Sequence, residues 1–250
     1  MRQPGSSIAI IQARMSSNRL PGKVLMPAAG KSMLQWQLLR LSQSQLIDSL
    51  WVATSNDASD DCIAEHCASL GQACYRGSLY DVLDRYWQTL LFAEQQAQSQ
   101  YSRVIRLTAD CPLIDPRLID QGIVLHRQST MDYVSNAAPR TYAHGLDLQI
   151  VSRNTLFETW RQATELLDRE HVLSYIHCRL DRASQVHLQQ TVQDSIFRYT
   201  LDYYADYQLI EAVISGLLVS APHAPFELIN QWLLNHPEVM QLNQMHRLVF

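Results

Sequence analysis

The sequence predicts an α/β protein with a mostly parallel central sheet flanked by helices, and two observations point to this class. Short apolar runs rich in β-branched residues alternate along the chain with longer segments of helical periodicity. Such alternation implies right-handed β-α-β crossovers and parallel neighbouring strands. The chain has 250 residues, 47% of them hydrophobic, which is enough for one full core. We therefore expect a single domain, 1–250, with a small additional lobe.

The first half alternates regularly between the two kinds of segment. Leu83, Tyr86, Trp87 and Leu90 recur at helical spacing, so we expect these aromatic side chains in the core rather than at a ligand. The predicted strands are 8–12, 50–54, 73–75 and 103–108, and the predicted helices are 33–41, 60–70 and 80–93.

The pattern loosens after Asp115, which favours mixed strand directions in the second half. A polar turn is predicted at 139–145. The predicted strands are 132–135, 146–151, 186–191 and 198–201, and the predicted helices are 116–126, 153–163, 169–179 and those from 204 to the end. The sequence leaves open whether the apolar segment 228–234 joins two subunits in a homodimer or completes the core.

Composition argues against several classes of partner. A net charge of -4 and a pI near 6.1 provide no global field for nucleic acid or an anionic membrane. The start has no signal-peptide pattern, and no apolar run is long enough to cross a bilayer. The five cysteines lack metal-site spacing and are predicted to be reduced thiols, which is typical of a cytoplasmic protein.

A basic loop follows the first predicted strand. Cations, serines and a glycine at the carboxyl end of a strand suit a polyphosphate, so we expect a nucleotide here. The loop is not a Walker motif, because Leu25 stands where the first glycine is required before Gly30-Lys31-Ser32, and it is not G-x-G-x-x-G. The alternative is a solvated basic loop. The candidate nucleotide-binding residues in it are Gln12, Ala13, Arg14, Ser16, Ser17, Arg19, Gly22 and Lys23.

Two aspartates follow predicted strands and carry the expected chemistry. Asp110 comes just after the strand 103–108, and Asp202 follows 198–201. Two carboxylates beside a polyphosphate would hold Mg²⁺, with phosphate oxygens and water completing the shell. Asp115 and Asp206 are more simply explained as helix caps. Lys23, Arg14 and Asp110 are the predicted catalytic residues, and Asp110 and Asp202 the predicted metal ligands.

Several motifs together resemble the SpsF group of cytidylyltransferase-like proteins, described as spore coat polysaccharide biosynthesis proteins. The resemblance spans about 8–210 and extends to the synthetases of CMP-activated acidic sugars. It implies a Rossmann-like GT-A nucleotidyltransferase fold and Mg²⁺-dependent transfer of CMP from CTP to an acidic sugar or related acceptor, with release of pyrophosphate, in polysaccharide or glycan biosynthesis. The motifs are IQARMSSNRLPGKVL at 11–25, ATSN at 53–56, RGSLYDVLDRY at 76–86, RLTADCPLID at 106–115, DYVSN at 132–136, RTYAHGLD at 140–147 and REHV at 169–172.

The resemblance assigns roles to particular positions. Arg14, Arg19 and Lys23 fall where the family binds the triphosphate, and Asp110 matches its metal-binding aspartate. Asp202 and Asp206 match the two aspartates of a late D-x-P-E-D segment, although the Pro-Glu pair is absent here. Gln149 stands where relatives often have Glu, which weakens a catalytic role for that position.

Polar residues in the turns of the second half are the candidate acceptor site, because substrate contacts concentrate in loops at the open edge of such a sheet. Arg140 or Arg169 would pair with an acceptor carboxylate or phosphate. A cap or a surface contact is the alternative for the histidines, and Asn136 either pins a loop or binds a hydroxyl. The acceptor candidates are Asn136, Arg140, Tyr142, His144, Asp147, Arg169, Glu170 and His171, and Arg76 and Ser78 are expected near the base or ribose.

The predicted domain has three functional regions: a nucleotide-binding half (8–115), an acceptor-binding half (116–210) and C-terminal helices (211–250). The expected reaction is direct attack of an acceptor oxygen on the α-phosphorus of CTP, without a protein nucleophile. Three alternatives stay open. They are a GT-A-type glycosyltransferase using a nucleotide sugar, for which the usual D-x-D triplet is missing, a noncatalytic nucleotide-binding subunit, and an unrelated structural scaffold.

Overall fold

A seven-stranded sheet forms the centre of the protein. The computed structural model describes residues 5–129, 131–179, 185–190, 194 and 196–247. A separate hairpin, β2–β3, lies outside the main sheet. The strands are β1 (Ser7–Gln12), β2 (Pro27–Ala28), β3 (Lys31–Ser32), β4 (Ser49–Ser55), β5 (Cys74–Gly77), β6 (Arg103–Thr108), β7 (Tyr133–Ser135), β8 (Gln149–Ser152) and β9 (Gln185–His187).

The sheet order is β5-β4-β1-β6-β8-β7-β9, with β1 pairing in parallel to β4 and β6. Strand β8 runs antiparallel to both of its neighbours, β6 and β7, whereas β7 and β9 are parallel. The predicted mostly parallel sheet with mixed directions in the second half is therefore confirmed. The carboxyl ends of β4, β1 and β6 consequently meet at one edge, where ligands bind in open α/β sheets.

Helices cover both faces of the sheet. Alternate residues of β1 enter different clusters: Ala9 and Ile11 pack against α1, α4, α8 and α9, whereas Ile8 and Ile10 pack against α3, α5 and α7. Trp87 is buried in the second cluster, as predicted. The helices are α1 (Met33–Leu41), α2 (Asp61–Ser69), α3 (Val82–Ala97), α4 (Pro116–Gln128), α5 (Arg153–Gln162), α6 (Leu166–His171), α7 (Ser174–Arg179), α8 (Tyr204–Val213), α9 (Phe226–Leu234) and α10 (Pro237–Met240).

Three predicted elements differ from the structure. The prediction of a strand at 198–201 is wrong, because this segment forms one isolated bridge, between His144 and Arg198, and no ladder with a strand of the sheet. The helix predicted at 169–179 is broken into α6 and α7, with Val172 at φ 63° turning the chain so that it can enter the core. The strand predicted at 186–191 is described only over Gln185–His187, and residue 191 lies outside the described residues.

A buried arginine ties the C-terminal segment to the sheet layer. Arg40 on α1 is fully buried and donates to the carbonyl oxygens of Ile114 (2.9 Å), Pro222 (3.0 Å) and Ala224 (3.0 Å). Burial lowers the pKa of this guanidinium to about 10. The three charge-assisted hydrogen bonds offset part of its desolvation.

Helix α9 contributes to the core through one face. Ile229 and Leu233 are buried, whereas Leu228 and Leu234 remain partly exposed. Over the described ranges, no helix combines the length and apolarity that crossing a membrane requires. Cys62, Cys67, Cys74 and Cys111 are free thiols.

Candidate active site

The basic loop leaves the carboxyl end of β1 and is held by a buried carboxylate. Asp60 accepts the backbone N–H of Met15 (2.7 Å) and the hydroxyl of Ser55 (2.5 Å), which ties the loop to the end of β4. The loop closes where the N–H of Gly22 donates to the carbonyl of Met15 at 3.0 Å. Gly22 has a φ of 72°, a left-handed conformation that favours glycine. The local fold thus presents the loop side chains toward the sheet edge.

One ammonium group joins the two predicted strand-end aspartates. The Nζ of Lys23 lies 3.0 Å from Oδ2 of Asp110 and 3.0 Å from Oδ1 of Asp202. Arg19 adds a second cation, with Nη2 2.8 Å from the same Asp202 oxygen. The basic loop and both carboxylates therefore face one crevice, although Lys23 and Asp202 are 179 residues apart in the sequence.

Asp110 is held as a carboxylate. Burial favours its neutral form, but the Lys23 charge and hydrogen bonds from Thr108, Lys23 and Cys111 outweigh burial and lower the pKa. The Thr108 hydroxyl donates to Asp110 Oδ1 at 2.5 Å. Burial, and then the charges of Asp110 and Asp147, raise the pKa of the Cys111 thiol well above its usual range. Cys111 therefore stays protonated at neutral pH, which argues against a role as a nucleophile.

Arg198 organises the carboxylates on the other side of the crevice. Its guanidinium contacts Asp202 Oδ2 at 3.1 Å and Asp206 Oδ1 at 2.9 Å, and Nη1 lies 2.9 Å from Nδ1 of His144. Asp206 also accepts the backbone N–H groups of Asp202 and Tyr203 at the start of α8, each at 3.0 Å. The capping role predicted for Asp206 is thus confirmed, as is that of Asp115, which accepts the N–H of Arg117 at the start of α4.

A glycine allows two segments of the crevice wall to meet. A Cβ at Gly145 would lie 2.4 Å from the backbone nitrogen of Thr200, and its φ of 106° suits glycine alone. The close approach lets the carbonyl of His144 accept the N–H groups of Tyr199 (2.6 Å) and Thr200 (3.1 Å). The motif Arg140–Asp147 is thereby fixed against the segment that carries Asp202.

The crevice contains two adjoining cavities of about 400 Å³ and about 470 Å³, which share Arg19, Thr108, Asp110 and Asp202 as lining residues. Both volumes lie in the range of small-molecule sites. The smaller cavity is also lined by the loop and β1 residues Gln12, Arg14, Ser17, Asn18 and Lys23. The larger one is also lined by Cys111, His144, Asp147, Arg198, Thr200, Tyr203 and His246.

Other sequence candidates have structural partners away from these cavities. Arg76 Nε donates to the carbonyl of Ser55 at 2.9 Å, and the Ser78 hydroxyl accepts the N–H of Asp81 at 3.0 Å. The side chain of Asn136 is buried and bonds to the backbone of Leu146 and Leu148, so it pins the loop. Ala13, Ser16 and Gly22 do not line either cavity.

The two arginines expected to meet an acceptor anion are engaged within the protein. Arg140 forms an ion pair with Asp147. Arg169 pairs with Asp81, with Nη2 2.6 Å from Oδ2, and also donates to the carbonyl of Trp160 at 2.6 Å. Tyr142 is buried, and Glu170 and His171 are exposed on α6. None of these five side chains lines the two cavities.

The sequence did not predict a role at the site for several residues that the structure places there. Arg198 precedes Asp202 by four positions and Asp206 by eight, a charge pattern that signals an ion-pair network only when the backbone turn is known. Tyr203 and His246 stack with ring centroids 3.8 Å apart beside the larger cavity. Nothing in the sequence links two aromatic residues so far apart.

The donor set at the crevice fits a hard divalent cation in part. Asp110 and Asp202 already share one cationic group, Lys23 Nζ, at equal distances of 3.0 Å. Within the described ranges, no group of three or more His, Cys, Asp or Glu side chains could hold a metal. Two carboxylates completed by phosphate oxygens and water are a typical magnesium environment, so a bound polyphosphate would have to supply the remaining ligands.

The fold and crevice define a nucleotidyltransferase-type α/β protein with a basic loop opposite paired aspartates. The sequence matches the family model described as cytidylyltransferase over residues 8–240, and the chain belongs to this family. It is 36% identical over 213 residues to the spore coat polysaccharide biosynthesis protein SpsF of Bacillus subtilis, covering 82% of this chain and 84% of that protein.

Two solved structures are similar to the protein. A cytidylyltransferase from Leptospira borgpetersenii superimposes with a TM-score of 0.85 at 28% identity, covering 94% of this chain and 97% of the other. A CMP:2-keto-3-deoxy-manno-octonic acid synthetase complexed with CTP has a TM-score of 0.59 at 18% identity, covering 84% and 99% of the two chains. The predicted fold and the resemblance to the SpsF group are confirmed by these comparisons.

Proposed function

We propose that the protein transfers the cytidylyl group of CTP to an acidic sugar or a related acceptor and releases pyrophosphate, in polysaccharide or glycan biosynthesis. The observation that carries the proposal is the Lys23 ammonium between Asp110 and Asp202, where the two cavities adjoin. The triphosphate would occupy the smaller cavity beside Arg14 and Lys23, and the acceptor the larger one. The names of the similar proteins, which include SpsF and a synthetase of a CMP-activated acidic sugar, support the substrate class.

The chain's own groups account for positioning and charge. Lys23 and Arg14 neutralise charge on the triphosphate, and Lys23 and Arg19 stay close to the phosphate that leaves. Asp110 and Asp202 would hold Mg²⁺, which supplies Lewis-acid stabilisation of the phosphate oxygens when bound. An acceptor hydroxyl in the larger cavity attacks the α-phosphorus, the bond to the pyrophosphate oxygen breaks, and the hydroxyl proton leaves to solvent. The proposed setting is the cytoplasm, in keeping with the free thiols among the described cysteines.

Pyrophosphate release with CTP, Mg²⁺ and a panel of acidic sugars tests this function. The wild-type protein is expected to release pyrophosphate with at least one acceptor, and Asp110→Asn is expected to reduce the rate by about 10²-fold or more, because a charge that stabilises the transition state is lost. Glu158→Gln, on the exposed face of α5, is the matched control and should retain the wild-type rate.

The contrary outcomes separate the alternatives. Full activity of Asp110→Asn would refute the metal assignment. CTP binding without turnover across the panel would favour a noncatalytic nucleotide-binding subunit. Sugar transfer from a nucleotide sugar without pyrophosphate release would favour a glycosyltransferase. Failure to bind any nucleotide would overturn the proposal as a whole.

A further inference from the structure

Arg106 is an unusual residue for the middle of a central strand. It interrupts the apolar run of β6 between Ile105 and Leu107, and its side chain lies on the same sheet face as Val104, which packs against α3. Its Nε is buried without a hydrogen-bond partner among the described residues. A buried donor without a partner is destabilising, and more so on a charged group, so its presence calls for a functional explanation.

The hydrogen bonds around Arg106 leave its charge uncompensated. Its Nη1 donates to Oε1 of Gln149 on the neighbouring strand β8 at 2.7 Å, and Gln149 Nε2 donates to the hydroxyl of Tyr133 at 2.7 Å. Both partners are neutral groups. Across the part of the chain that the structure describes, no carboxylate lies within ion-pair distance of Arg106, in contrast to Arg140 and Arg169.

A second guanidinium, which has no ion pair among the described residues, lies on the same side of the sheet. Arg85 on α3 is fully buried, and its Nε and Nη2 have no partner in the described ranges. Burial raises the pKa of the adjacent Tyr86 to about 12, and the charges of Arg106 and Arg85 oppose this rise. The Tyr86 hydroxyl donates to the carbonyl of Leu107, the residue after Arg106, at 2.7 Å. Two cations on one side of the sheet produce a positive potential that attracts an anion.

The geometry connects this cationic face to the crevice. Arg106 lines neither cavity, but it lies two residues before Thr108 on the same face of β6, and Thr108 lines both cavities. Side chains two residues apart on one strand face are separated by about 7 Å. An acceptor in the larger cavity would therefore have to extend past Thr108 to reach Arg106 with a second functional group.

We propose that Arg106, oriented by Gln149, binds an anionic group of the acceptor, a carboxylate or a phosphate remote from the attacking hydroxyl. The inference rests on the proposed cytidylyl transfer and adds to it the residue that selects charged acceptors. Guanidinium groups bind such oxyanions with two parallel hydrogen bonds, and the unpartnered Nε of Arg106 provides one of the donors. The neutral amide of Gln149 leaves the positive charge available.

Isothermal titration with matched ligands tests the inference. Sugar acids and sugar phosphates are each compared with the uncharged parent sugar, in the presence of Mg²⁺ and α,β-methylene-CTP so that no turnover occurs. The wild-type protein is expected to bind at least one charged member about tenfold or more tightly than its parent sugar. The two arms distinguish a carboxylate from a phosphate as the preferred group.

Two substitutions assign the preference to this residue. Arg106→Met removes the positive charge. Gln149→Glu places a carboxylate 2.7 Å from the guanidinium, so that an internal ion pair competes with the anionic group of the acceptor. Each is expected to abolish the preference for the charged member while leaving affinity for the CTP analogue within about twofold of wild type. Arg161→Gln, which removes an exposed arginine of α5, is the control and should keep the preference. Gln149→Glu is nearly isosteric, so it remains informative if Arg106→Met fails to fold.

Three results would overturn the inference: equal binding of charged and parent sugars, a charge preference that survives both substitutions, or no panel member binding to a wild-type protein that binds the CTP analogue. In each case cytidylyl transfer to another acceptor stays intact as a proposal. Failure of the wild-type protein to bind the CTP analogue at all would instead count against the proposed function, so the two failures are distinguishable.

Discussion

The cationic side chains of the basic loop and the two candidate arginines of the second half have different surroundings. Arg14 lines the smaller cavity and has no ion pair among the described residues, and Lys23 holds two carboxylates at the centre of the crevice. Arg140 and Arg169 are instead committed to Asp147 and Asp81. Arginine thus lines a cavity in one region and belongs to the internal architecture in the other. What distinguishes Arg140 and Arg169 from Arg14 is that each has a carboxylate partner fixed by the fold.

Lys23→Met is expected to have the largest effect. Loss of the ammonium removes transition-state charge stabilisation and should lower the rate of pyrophosphate release by about 10²-fold or more. It also leaves Asp110 and Asp202 without their shared cation. Mn²⁺ titration followed by electron paramagnetic resonance, without nucleotide, should therefore show tighter metal binding than in the wild-type protein. Unchanged Mn²⁺ affinity would show that Lys23 does not occupy the metal position.

Gly145→Ala tests the wall that joins the second-half turn to the Asp202 segment. The added methyl group would meet backbone atoms of Tyr199 and Thr200 at 2.4 Å, and the backbone would be strained at its φ of 106°. We expect the free energy of unfolding to fall by about 2–4 kcal/mol, measured by urea denaturation. Gly30→Ala is a useful control, because Gly30 also has a positive φ but a Cβ there would contact nothing. If the free energy of unfolding fell equally in both variants, the loss would come from backbone strain at positive φ and not from the close approach of Gly145 to Tyr199 and Thr200.

Arg169→Met distinguishes the two uses of arginine most directly. It should lower the free energy of unfolding by about 1–3 kcal/mol, because a partly buried bidentate pair and two backbone carbonyls lose their donor. Thermal-shift measurements should meanwhile show unchanged stabilisation by CTP and Mg²⁺. Arg14→Met should show the opposite pattern, with stability retained and CTP stabilisation reduced. A loss of CTP binding in Arg169→Met would place this arginine among the ligand-binding groups.

The smallest expected effect is a change in the pH dependence of stability, and it comes from His126, which lies outside both regions. Burial, followed by the charge of Arg103, lowers the pKa of His126 below its usual 6.5. The unfolded chain therefore binds the proton more readily, so His126 contributes stability above about pH 6.5 that is lost as the pH falls through its folded-state pKa. His126→Gln should flatten this part of the stability profile between pH 7.5 and pH 5, measured by denaturation at each pH. An unchanged slope would assign the pH dependence to other groups.

Sequence patterns predicted the regular part of the fold well. Buried apolar runs identified β1 and β6, and the side-chain chemistry after each strand identified Lys23 and Asp110. These features depend on local periodicity and on the shared edge of parallel strands. The segment 198–201 was predicted as a strand, yet its backbone N–H groups donate to the carbonyl oxygens of His144 and Asp110 instead of forming a ladder.

The sequence alone could not predict which distant side chains pair with each other. Arg169 and Asp81 are 88 residues apart, and nothing local specifies that they meet. Arg106 belongs to the motif at 106–115 but lies inside a predicted buried strand, where an arginine has no obvious role until its neighbours are known. The close approach at Gly145 likewise follows from the path of residues 199 and 200, which no periodicity encodes.

The contact between Lys23 and Asp202 has a consequence for biosynthesis. Because Asp202 follows Lys23 by 179 positions, the ribosome must synthesise the chain past Asp202 before the crevice can form. A nascent protein halted before Asp202 would carry the loop, β1 and β6, but not the second carboxylate. Under the proposed function, the site for the metal and the triphosphate is therefore complete only late in synthesis.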